Sequence, residues 1–259
     1  MRRTLKASLI ILMGLSSLGF AQSPDLVARN AEKYAQLPDY LLGIKWASIP
    51  KGTLNSTPIE AFHMSQTEVT VVQYKAYVDS AGDDVDEKDR RKPGDSSHSP
   101  YCNWGRKGHE DHPINCVSWD QAQGFADWLS KETGYTITLP SEDQWEYAAR
   151  SAGAKDDRGS LFKYPWGNQP PDSSRAVYYP SDGTETVYSK PKGQSLQGVW
   201  GLAGNVWEWT STSAGPFWFI WGGSWKNDAE RLTDRSFGGW GSRDNYDGLV
   251  GFRLVSPLR

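Results

Sequence analysis

The amino-acid sequence predicts a single α+β domain in which short helices and strands are joined by many ordered loops. A chain of 259 residues with 37% hydrophobic residues can bury one sizeable core. Its 26 Gly and 15 Pro favour frequent turns, so the regular elements should be short. Its 13 Trp and 12 Tyr supply large flat side chains for that core or for a groove. Since no heptad, solenoid period or low-complexity linker interrupts residues 41–259, we expect them to form one domain.

The charge balance excludes one large class of partners. Lys and Arg number 28 against 31 Asp and Glu, which gives a net charge of -3. Nucleic-acid binding usually needs a broad basic surface, and this balance does not supply one. We therefore expect no nucleic-acid partner, and we expect a monomer.

The N-terminus has the pattern of a cleaved export signal. Three basic residues precede an apolar run over 7–20, and small residues around Ala21 follow it. The run, about 14 residues long, is too short to span a bilayer comfortably, so we expect no membrane span. We predict that residues 1–21 are a signal peptide and that the mature protein is periplasmic or secreted, where disulfides form. Residues 22–40 carry loosely helical apolar spacing, which is typical of a segment docked on the domain.

Apolar runs bounded by Pro or Gly predict strands. Such runs cover 41–49 and 59–64, and residues 135–139 alternate apolar and polar side chains. Thr70 precedes apolar residues at helical spacing and can cap the first turn of a helix.

Two further helices are predicted from their start signals. Ser118 with Gln121, and Ser141 with Gln144, have the spacing of a capping box, in which the two side chains bond each other's backbone N–H groups. Apolar residues recur at helical spacing after each box, which predicts a buried stripe on each helix. Gly134 can adopt the left-handed conformation that ends the first of these helices.

Seven short blocks occur in one order along the chain. They are FHMSQTEVT at 62–70, HPINCVSWDQA at 112–122, LPSEDQWEYAAR at 139–150, YPWG at 164–167, GNVWEW at 204–209, GGSW at 222–225 and GFRL at 251–254. In this order they resemble the formylglycine-generating enzyme family, also called the sulfatase-modifying factor family, over about 42–255. The resemblance implies a C-type-lectin-like core that is poor in regular secondary structure.

The resemblance also identifies what this chain lacks. Family members that generate formylglycine hold copper with two thiolates, the first three residues after the Ser of Gly-Gly-Ser and the second five residues later. Those positions are Asn227 and Leu232 here. Neither side chain is the soft ligand that Cu(I) prefers, so we expect neither copper nor sulfatase activation. Trp207 and Ser224 match the family's oxygen pocket, but both also belong to its structural motif, and we assign no catalytic residue.

Calcium is the ion that the resemblance does suggest. In the family's second calcium site the matching ligands are the carbonyls of Gly204 and Val206 with the carboxylate of Glu208, and in its first site they include Asp182 and Thr184. Calcium prefers such hard oxygen ligands. We therefore predict calcium at these positions.

One departure from the second calcium site leaves an alternative open. The family's usual Asn or Asp three residues before Gly204 is Gly201 here, so a side-chain oxygen is lost. The alternative is that Glu208 is a buried carboxylate held by hydrogen bonds within the protein.

The two cysteines, Cys102 and Cys116, predict one disulfide, because an exported chain with two cysteines usually pairs them. The alternative is a metal site built from both cysteines with His98, His109 and His112. Their spacing fits no standard zinc pattern, so we favour the disulfide.

The C-terminal third carries a candidate binding groove. Phe217–Trp221 is a run of five bulky apolar residues, which cannot all face one way on a pleated strand, so some must cover a loop or stay exposed. Aromatic residues in strands are also common core residues. The stretch that follows matches the family's substrate groove and suits a peptide or protein. Its candidate residues are Trp225, Asn227, Arg231, Arg235, Trp240 and Arg243.

These features predict an exported, non-catalytic binding or regulatory module for a protein partner in the cell envelope. Domains that resemble this one regulate envelope machinery, including kinase-controlled secretion systems. The first alternative is a periplasmic oxidoreductase of the same family that acts on a peptide or a siderophore precursor. The second is a ligand-binding protein with a diversified C-terminal segment.

Overall fold

The computed structural model describes residues 42–80, 92–95, 99–232 and 247–258, together with the backbone of 235–238. The predicted signal peptide 1–21 and the segment 22–40 lie outside the described residues. So do His98, Trp240 and Arg243, and of Arg235 only the backbone is described.

The regular elements are short, as the Gly and Pro content predicts. In chain order the strands are β1 (Trp46–Ile49), β2 (Gly52–Leu54), β3 (Thr57–Ile59), β4 (Phe62–Ser65), β5 (Trp207–Ala214), β6 (Phe217–Trp221), β7 (Arg235–Gly238), β8 (Val250–Phe252) and β9 (Val255–Pro257). The helices are α1 (Val71–Asp79), α2 (Trp119–Thr133) and α3 (Glu142–Ala149). None of the helices among the described residues is long and apolar enough to cross a membrane.

The C-terminal strands join two sheets. β9 pairs with β4, which pairs with β1, both antiparallel. β8 pairs in parallel with β5, in a second sheet of order β7-β6-β5-β8. Only Arg253 and Leu254 separate β8 from β9, so Arg253 lies where the chain passes from one sheet to the other. A separate antiparallel hairpin joins β2 and β3.

The helix starts confirm the predicted caps. Ser118 and Ser141 each accept a hydrogen bond from the backbone N–H of the Gln three residues on, and that Gln side chain accepts one from the N–H of the cap. Thr70 and Gln73 form a third capping box, which satisfies two N–H groups at the start of α1. Gly134 ends α2 with φ 72°, the left-handed conformation that glycine adopts without steric cost.

Two strand predictions need correction. Residues 135–139 form no strand, and only an isolated bridge joins Thr138 to Val255. The N–H of Ile137 donates to the Ser130 hydroxyl of α2, so a side chain takes part of the bonding that a ladder would need. The predicted strand over 41–49 begins only at Trp46.

The core consists mainly of aromatic and branched side chains beneath the helices. Tyr74 of α1 stacks on Phe125 of α2 with ring centroids 5.6 Å apart, and Phe125 contacts Phe252 of β8 at the same distance. Trp145 of α3 stacks on Trp221 of β6 at 5.6 Å. The buried stripes predicted for α2 and α3 are therefore confirmed.

The aromatic run in β6 divides between core and surface. Phe219, Ile220 and Trp221 are buried, whereas Phe217 is 39% exposed. The exposed end lies at the hairpin turn, where the strand passes beyond the core.

Candidate functional site

The positions matched to the family's copper ligands form a closed turn. The side-chain oxygen of Asn227 accepts hydrogen bonds from the Ser224 backbone N–H (2.9 Å) and from the Ser224 hydroxyl (2.7 Å). The backbone N–H of Asn227 donates to the Ser224 carbonyl (3.0 Å). These three bonds tie positions 224 and 227 to each other, and Ser224 is fully buried.

The second copper position is part of the core. Leu232 is fully buried and packs with Tyr164, Ala176 and Ala203. Trp207, matched to the oxygen pocket, is buried in the cluster beneath α1 and α2. An apolar side chain at 232 and an amide at 227 leave this region without a soft metal ligand.

The cysteines form the predicted disulfide. Cys102 and Cys116 are bonded, with Cα atoms 5.5 Å apart, and both are buried. This confirms the pairing and corrects the alternative metal site, because disulfide sulfurs are not thiolate ligands. The bridge closes a loop that carries Asn103, Arg106 and His109.

A polar pocket opens beside the closed turn. Its volume is about 280 Å³, and its lining residues are Tyr101, Asn103, Arg106, His109, Ser181, Asp182, Gly183, Thr184, Glu185 and Trp225. The disulfide loop supplies one wall, residues 181–185 supply another, and Trp225 follows directly after Ser224. The pocket thus lies next to the turn that contains Asn227, which matches a copper-ligand position of the family.

Tyr101 and Trp225 form the aromatic side of the pocket, and a backbone hydrogen bond holds Trp225 in place. Trp225 is 4% exposed, and its N–H donates to the carbonyl of Asn205 (2.9 Å). Its ring lies 5.0 Å from that of Tyr101, at 50°. The ammonium of Lys226 lies 5.7 Å from the centroid of the Tyr101 ring, a cation–π distance. Within the described residues the indole N–H of Trp225 has no acceptor.

The loop over 181–185 is fixed at its C-terminal end by hydrogen bonds of Thr184 and Glu185. The side chain of Asn103 donates to the Thr184 hydroxyl (3.0 Å), which also bonds Nδ1 of His112 (2.9 Å). The N–H of Glu185 donates to the side-chain oxygen of Asn205 (3.0 Å). The two walls are therefore connected by hydrogen bonds rather than by a hydrophobic contact.

Two histidines belong to this part of the molecule: His109 lines the pocket, and His112 bonds Thr184 of the lining. His109 and His112 have ring centroids 4.3 Å apart. Burial lowers the pKa of His112, and the neighbouring His109 and Arg106 lower it further. The lowered pKa favours the neutral form of the His112 ring.

A buried charge cluster, formed by Glu68, Glu208 and Arg253, lies between the sheets. The Arg253 guanidinium donates to both oxygens of Glu208, from Nε at 2.6 Å and from a terminal nitrogen at 2.7 Å. It also donates to the carbonyls of Ser65 and Trp200, and the Trp145 indole donates to Oε2 of Glu208 (2.6 Å). Glu68, Glu208 and Arg253 are all fully buried.

Glu68 is the incompletely bonded member of the cluster. Its Oε1 accepts from the side-chain amide of Asn205 (3.1 Å), whereas Oε2 has no hydrogen-bond partner within the described residues. Burial raises the pKa of Glu68 to about 8, Arg253 lowers it, and the nearby Glu208 raises it again. The Glu68 carboxyl therefore holds a proton at neutral pH.

The position of Glu68 explains the missing side chain at 201. Gly201 has φ 68°, and a Cβ there would overlap both oxygens of Glu68. The space that an Asn or Asp at 201 would use is thus filled by Glu68.

The predicted calcium ligand Glu208 has its oxygens engaged by protein donors. Arg253 and Trp145 donate to them, which matches the alternative of a buried, hydrogen-bonded carboxylate. Among the described side chains, no group of three His, Cys, Asp or Glu residues is placed to hold a metal ion. Glu208 therefore fits calcium poorly, calcium at Gly204, Val206, Asp182 and Thr184 stays a prediction, and no step below depends on it.

The structure assembles the pocket from residues that sequence reasoning placed in unrelated roles or did not single out. Asp182, Thr184 and His109 were considered as metal ligands, and Trp225 as part of a groove. Tyr101, Arg106 and Glu185 were missed. For Tyr101, the one local signal was its position next to Cys102 of the disulfide.

Comparison with protein-family models matches residues 19–258 to the sulfatase-modifying factor enzyme 1-like domain.

The relatives that match this chain are named for different activities. The chain is 27% identical over 210 residues to the formylglycine-generating enzyme of Streptomyces coelicolor, covering 64% of this chain and 62% of that protein. It is 27% identical over 234 residues to hercynine oxygenase of Mycolicibacterium thermoresistibile, covering 79% and 48%. It is 29% identical over 168 residues to inactive C-alpha-formylglycine-generating enzyme 2 of Bos taurus, covering 56% and 50%. The chain thus spans between 48% and 62% of the length of these relatives.

Two solved structures share the fold. CarF superposes with a TM-score of 0.66 at 22% identity, covering 84% of this chain and 100% of that one. PvdO from Pseudomonas aeruginosa superposes with a TM-score of 0.57 at 22% identity, covering 82% and 92%. At this identity the likeness concerns the fold alone. It confirms the predicted class, an α+β domain of the formylglycine-generating enzyme type with a C-type-lectin-like core.

Proposed function

Because the chain belongs to the sulfatase-modifying factor family yet has Asn227 and Leu232 at the copper positions, we propose that it is an exported, non-catalytic binding protein. Its partner is a protein or peptide of the cell envelope, bound on the face that carries Trp225. A regulatory role follows from binding without turnover.

The closed turn between Ser224 and Asn227 is the observation that carries this proposal. In it an amide side chain accepts two hydrogen bonds from Ser224, at the position where a thiolate would bind copper. Leu232 is fully buried, and both cysteines of the chain are in a disulfide 14 residues apart in sequence. The thiolate chemistry of the family therefore has no residue to carry it.

The face around Trp225 supports binding. Lys226 and Arg231 are exposed, and the ammonium of Lys226 lies 5.7 Å from the ring centroid of Tyr101 in the pocket lining, while Trp225 itself is buried and held in place. Arg is enriched at protein interfaces, so the exposed cations can contact a partner, and the buried Trp225 holds the backbone beside them in place. The other residues predicted for the groove, Trp240 and Arg243, lie outside the described residues.

An enzymatic role is the second candidate, and the relatives named hercynine oxygenase favour it. It would be an oxidation of a peptide or a siderophore precursor without the thiolate pair. The relative named inactive favours the binding role instead.

The two roles are separated by a turnover assay. Purified protein is supplied with Cu(I), oxygen and a peptide carrying the sulfatase motif, and the peptide mass is followed. We expect no formylglycine product, because positions 227 and 232 offer no thiolate. Formation of the product would contradict the proposal.

The binding role is tested with charge reversal on the exposed face. Wild-type protein is cross-linked in an envelope extract, the retained protein is identified, and that protein is then purified and titrated. Arg231→Glu should weaken binding by about thirtyfold if Arg231 is an anchor, equivalent to about 2 kcal/mol. Arg158→Glu is the matched control, because Arg158 is also an exposed arginine and is distant in sequence from Arg231. Equal affinities for the two variants would place the interface elsewhere.

Export is tested by the mass of the mature protein. If residues 1–21 are removed, the chain begins at Gln22 and its mass is that of the disulfide form. A chain that retains residues 1–21 would contradict the localisation.

A further inference from the structure

The polar pocket has an unusual lining for a ligand site. Small-molecule pockets are mostly apolar with a few polar groups and measure about 300–1,000 Å³. This pocket measures about 280 Å³, and seven of its ten lining residues have polar or charged side chains apart from its two aromatic residues. Its size fits one ring-sized unit, and its chemistry fits a ligand that is polar on most sides.

The charges of the lining balance. Arg106 and Asp182 carry opposite charges, and the carboxylate of Glu185 forms an ion pair with Lys190, whose Nζ lies 2.8 Å from Oε1. Burial lowers the pKa of His112, which bonds Thr184 of the lining, and so favours its uncharged form. Once Glu185 is paired with Lys190, Arg106 and Asp182 leave the lining without net charge, and the ammonium of Lys226 lies over the ring of Tyr101. The lining therefore gives no electrostatic preference for a charged ligand, which favours a neutral one.

The polar groups include both donors and acceptors. Arg106 donates through its guanidinium, Asp182 accepts through its carboxylate, and His109 does either according to its tautomer. A hydroxyl group donates one hydrogen bond and accepts others, so it matches a wall in which donors and acceptors alternate. A ligand with several hydroxyl groups uses this lining most fully.

The aromatic side supplies an apolar face. The rings of Tyr101 and Trp225 stand 5.0 Å apart at 50°, and Trp225 is fixed by its bond to Asn205. Aromatic rings bind the C–H-bearing face of a ligand through their large apolar area.

We propose that this pocket binds one neutral sugar ring of a saccharide. The C–H face of the ring packs against the exposed ring of Tyr101, which the buried Trp225 supports, and its hydroxyl groups bond to Arg106, Asp182 and His109. The disulfide loop and the loop over 181–185 hold these groups in place without the ligand. This site adjoins the face proposed above for the protein partner, because Trp225 belongs to both, but the two are tested with different variants.

The test uses the mature protein and a set of simple sugars. Glucose, galactose and N-acetylglucosamine are the neutral probes, glucosamine and glucuronic acid are the charged ones, and an uncharged capped tetrapeptide tests peptide binding. Binding is followed by calorimetry and by ligand-observed NMR. We expect at least one neutral sugar to bind with a Kd of about 1 mM, and both charged sugars to bind more weakly.

Two tyrosine variants locate the binding. Tyr101→Ala removes a half-exposed ring from the pocket and should weaken sugar binding about tenfold. Tyr179→Ala removes a similarly exposed ring outside the lining and should leave affinity unchanged. Circular dichroism and the melting temperature confirm that both variants fold.

Three results would overturn the proposal. One is that no neutral sugar binds, another is that the tetrapeptide or a charged sugar binds more tightly than all neutral ones, and the third is that Tyr101→Ala binds as the wild type does. The first two concern the ligand class and leave the protein-binding role standing, because that role is measured with Arg231→Glu.

Discussion

Two polar regions share the residue Asn205 and differ in how their side chains are bonded. Towards the core, the Asn205 side chain donates to Glu68 of the buried charge cluster. Towards the surface, its side-chain oxygen accepts from the Glu185 backbone and its carbonyl accepts from Trp225, both in the pocket lining. Glu208 and Arg253 of the cluster are fully buried and form an ion pair, whereas Asp182 in the pocket lining is exposed to solvent.

The difference separates stability from binding. A buried charge whose partner is removed costs several kcal/mol, so members of the cluster are held for the fold. A polar group that keeps bonding capacity towards an open pocket adds little to the fold and remains available to a ligand. Arg253 of the GFRL block at 251–254 therefore serves the fold, whereas the polar pocket is the region left for the proposed ligand.

The largest expected effect comes from removing the cation of the cluster. Arg253→Leu leaves Glu208 buried without its partner and should lower the free energy of unfolding by about 3–5 kcal/mol. Urea denaturation followed by Trp fluorescence measures this loss. Arg158→Leu, at an exposed position, is the control and should change stability by less than about 0.5 kcal/mol. Similar values for the two variants would show that the cluster does not hold the sheets together.

Opening the disulfide should have the next largest effect, and it acts on both regions. Cys102→Ala with Cys116→Ala releases a loop of about 15 residues and should cost about 3 kcal/mol. Ligand binding in the pocket should fall as well, because Asn103, Arg106 and His109 lie in that loop. Thermal melts and calorimetry on the double variant measure the two effects. A stable variant with unchanged ligand affinity would show that the loop is held by its hydrogen bonds alone.

The two regions differ in how much of their structure could be predicted from the sequence. Local rules predicted the caps at Ser118 and Ser141 and the disulfide, because each depends on residues close in sequence or on a count of two cysteines. The strand predicted at 135–139 failed, since a hydroxyl from Ser130 of α2 took its hydrogen bond. The pocket was not predictable because it joins residues around 101–109 to residues around 181–185, and no local pattern records that approach. The role of Glu68 was hidden for the same reason, because its burial depends on a glycine at 201.

The proton on Glu68 predicts a pH dependence of stability. Its folded pKa, about 8, lies above the ordinary value of 4.5, so its contribution is fully present below pH 4.5 and is lost as pH rises towards 8. His63 acts in the opposite sense, since burial lowers its pKa from 6.5 to about 4 and its contribution is lost as pH falls below 6.5. The interval from pH 6.5 to 8 therefore reports Glu68, with Glu208 and Arg253 as the charges that face it.

Across that interval we expect the free energy of unfolding to fall by roughly 2 kcal/mol, since one pKa unit corresponds to about 1.36 kcal/mol. Glu68→Gln keeps an acceptor for Asn205, cannot ionise and should remove the slope. Glu132→Gln, at an exposed position of α2, should keep the slope of the wild type. A pH profile of Glu68→Gln that parallels the wild type would assign the proton to another group.

The smallest effect on stability is expected for a substitution in the pocket lining. It tests whether the pocket, unlike the cluster, contributes little to the fold. Asp182→Ala removes an exposed carboxylate and should change the free energy of unfolding by no more than about 0.5 kcal/mol, while sugar binding weakens. Melting curves of the wild type and the variant are recorded with calcium and with chelator. If calcium binds at Asp182, chelator lowers the melting temperature of the wild type and not of the variant, because an ion that binds only the folded state stabilises it. Equal melting curves in all four conditions would show that calcium does not bind at Asp182, whose carboxylate is then available to the sugar. A large loss of stability that does not depend on calcium would show that the pocket wall, like the cluster, stabilises the fold.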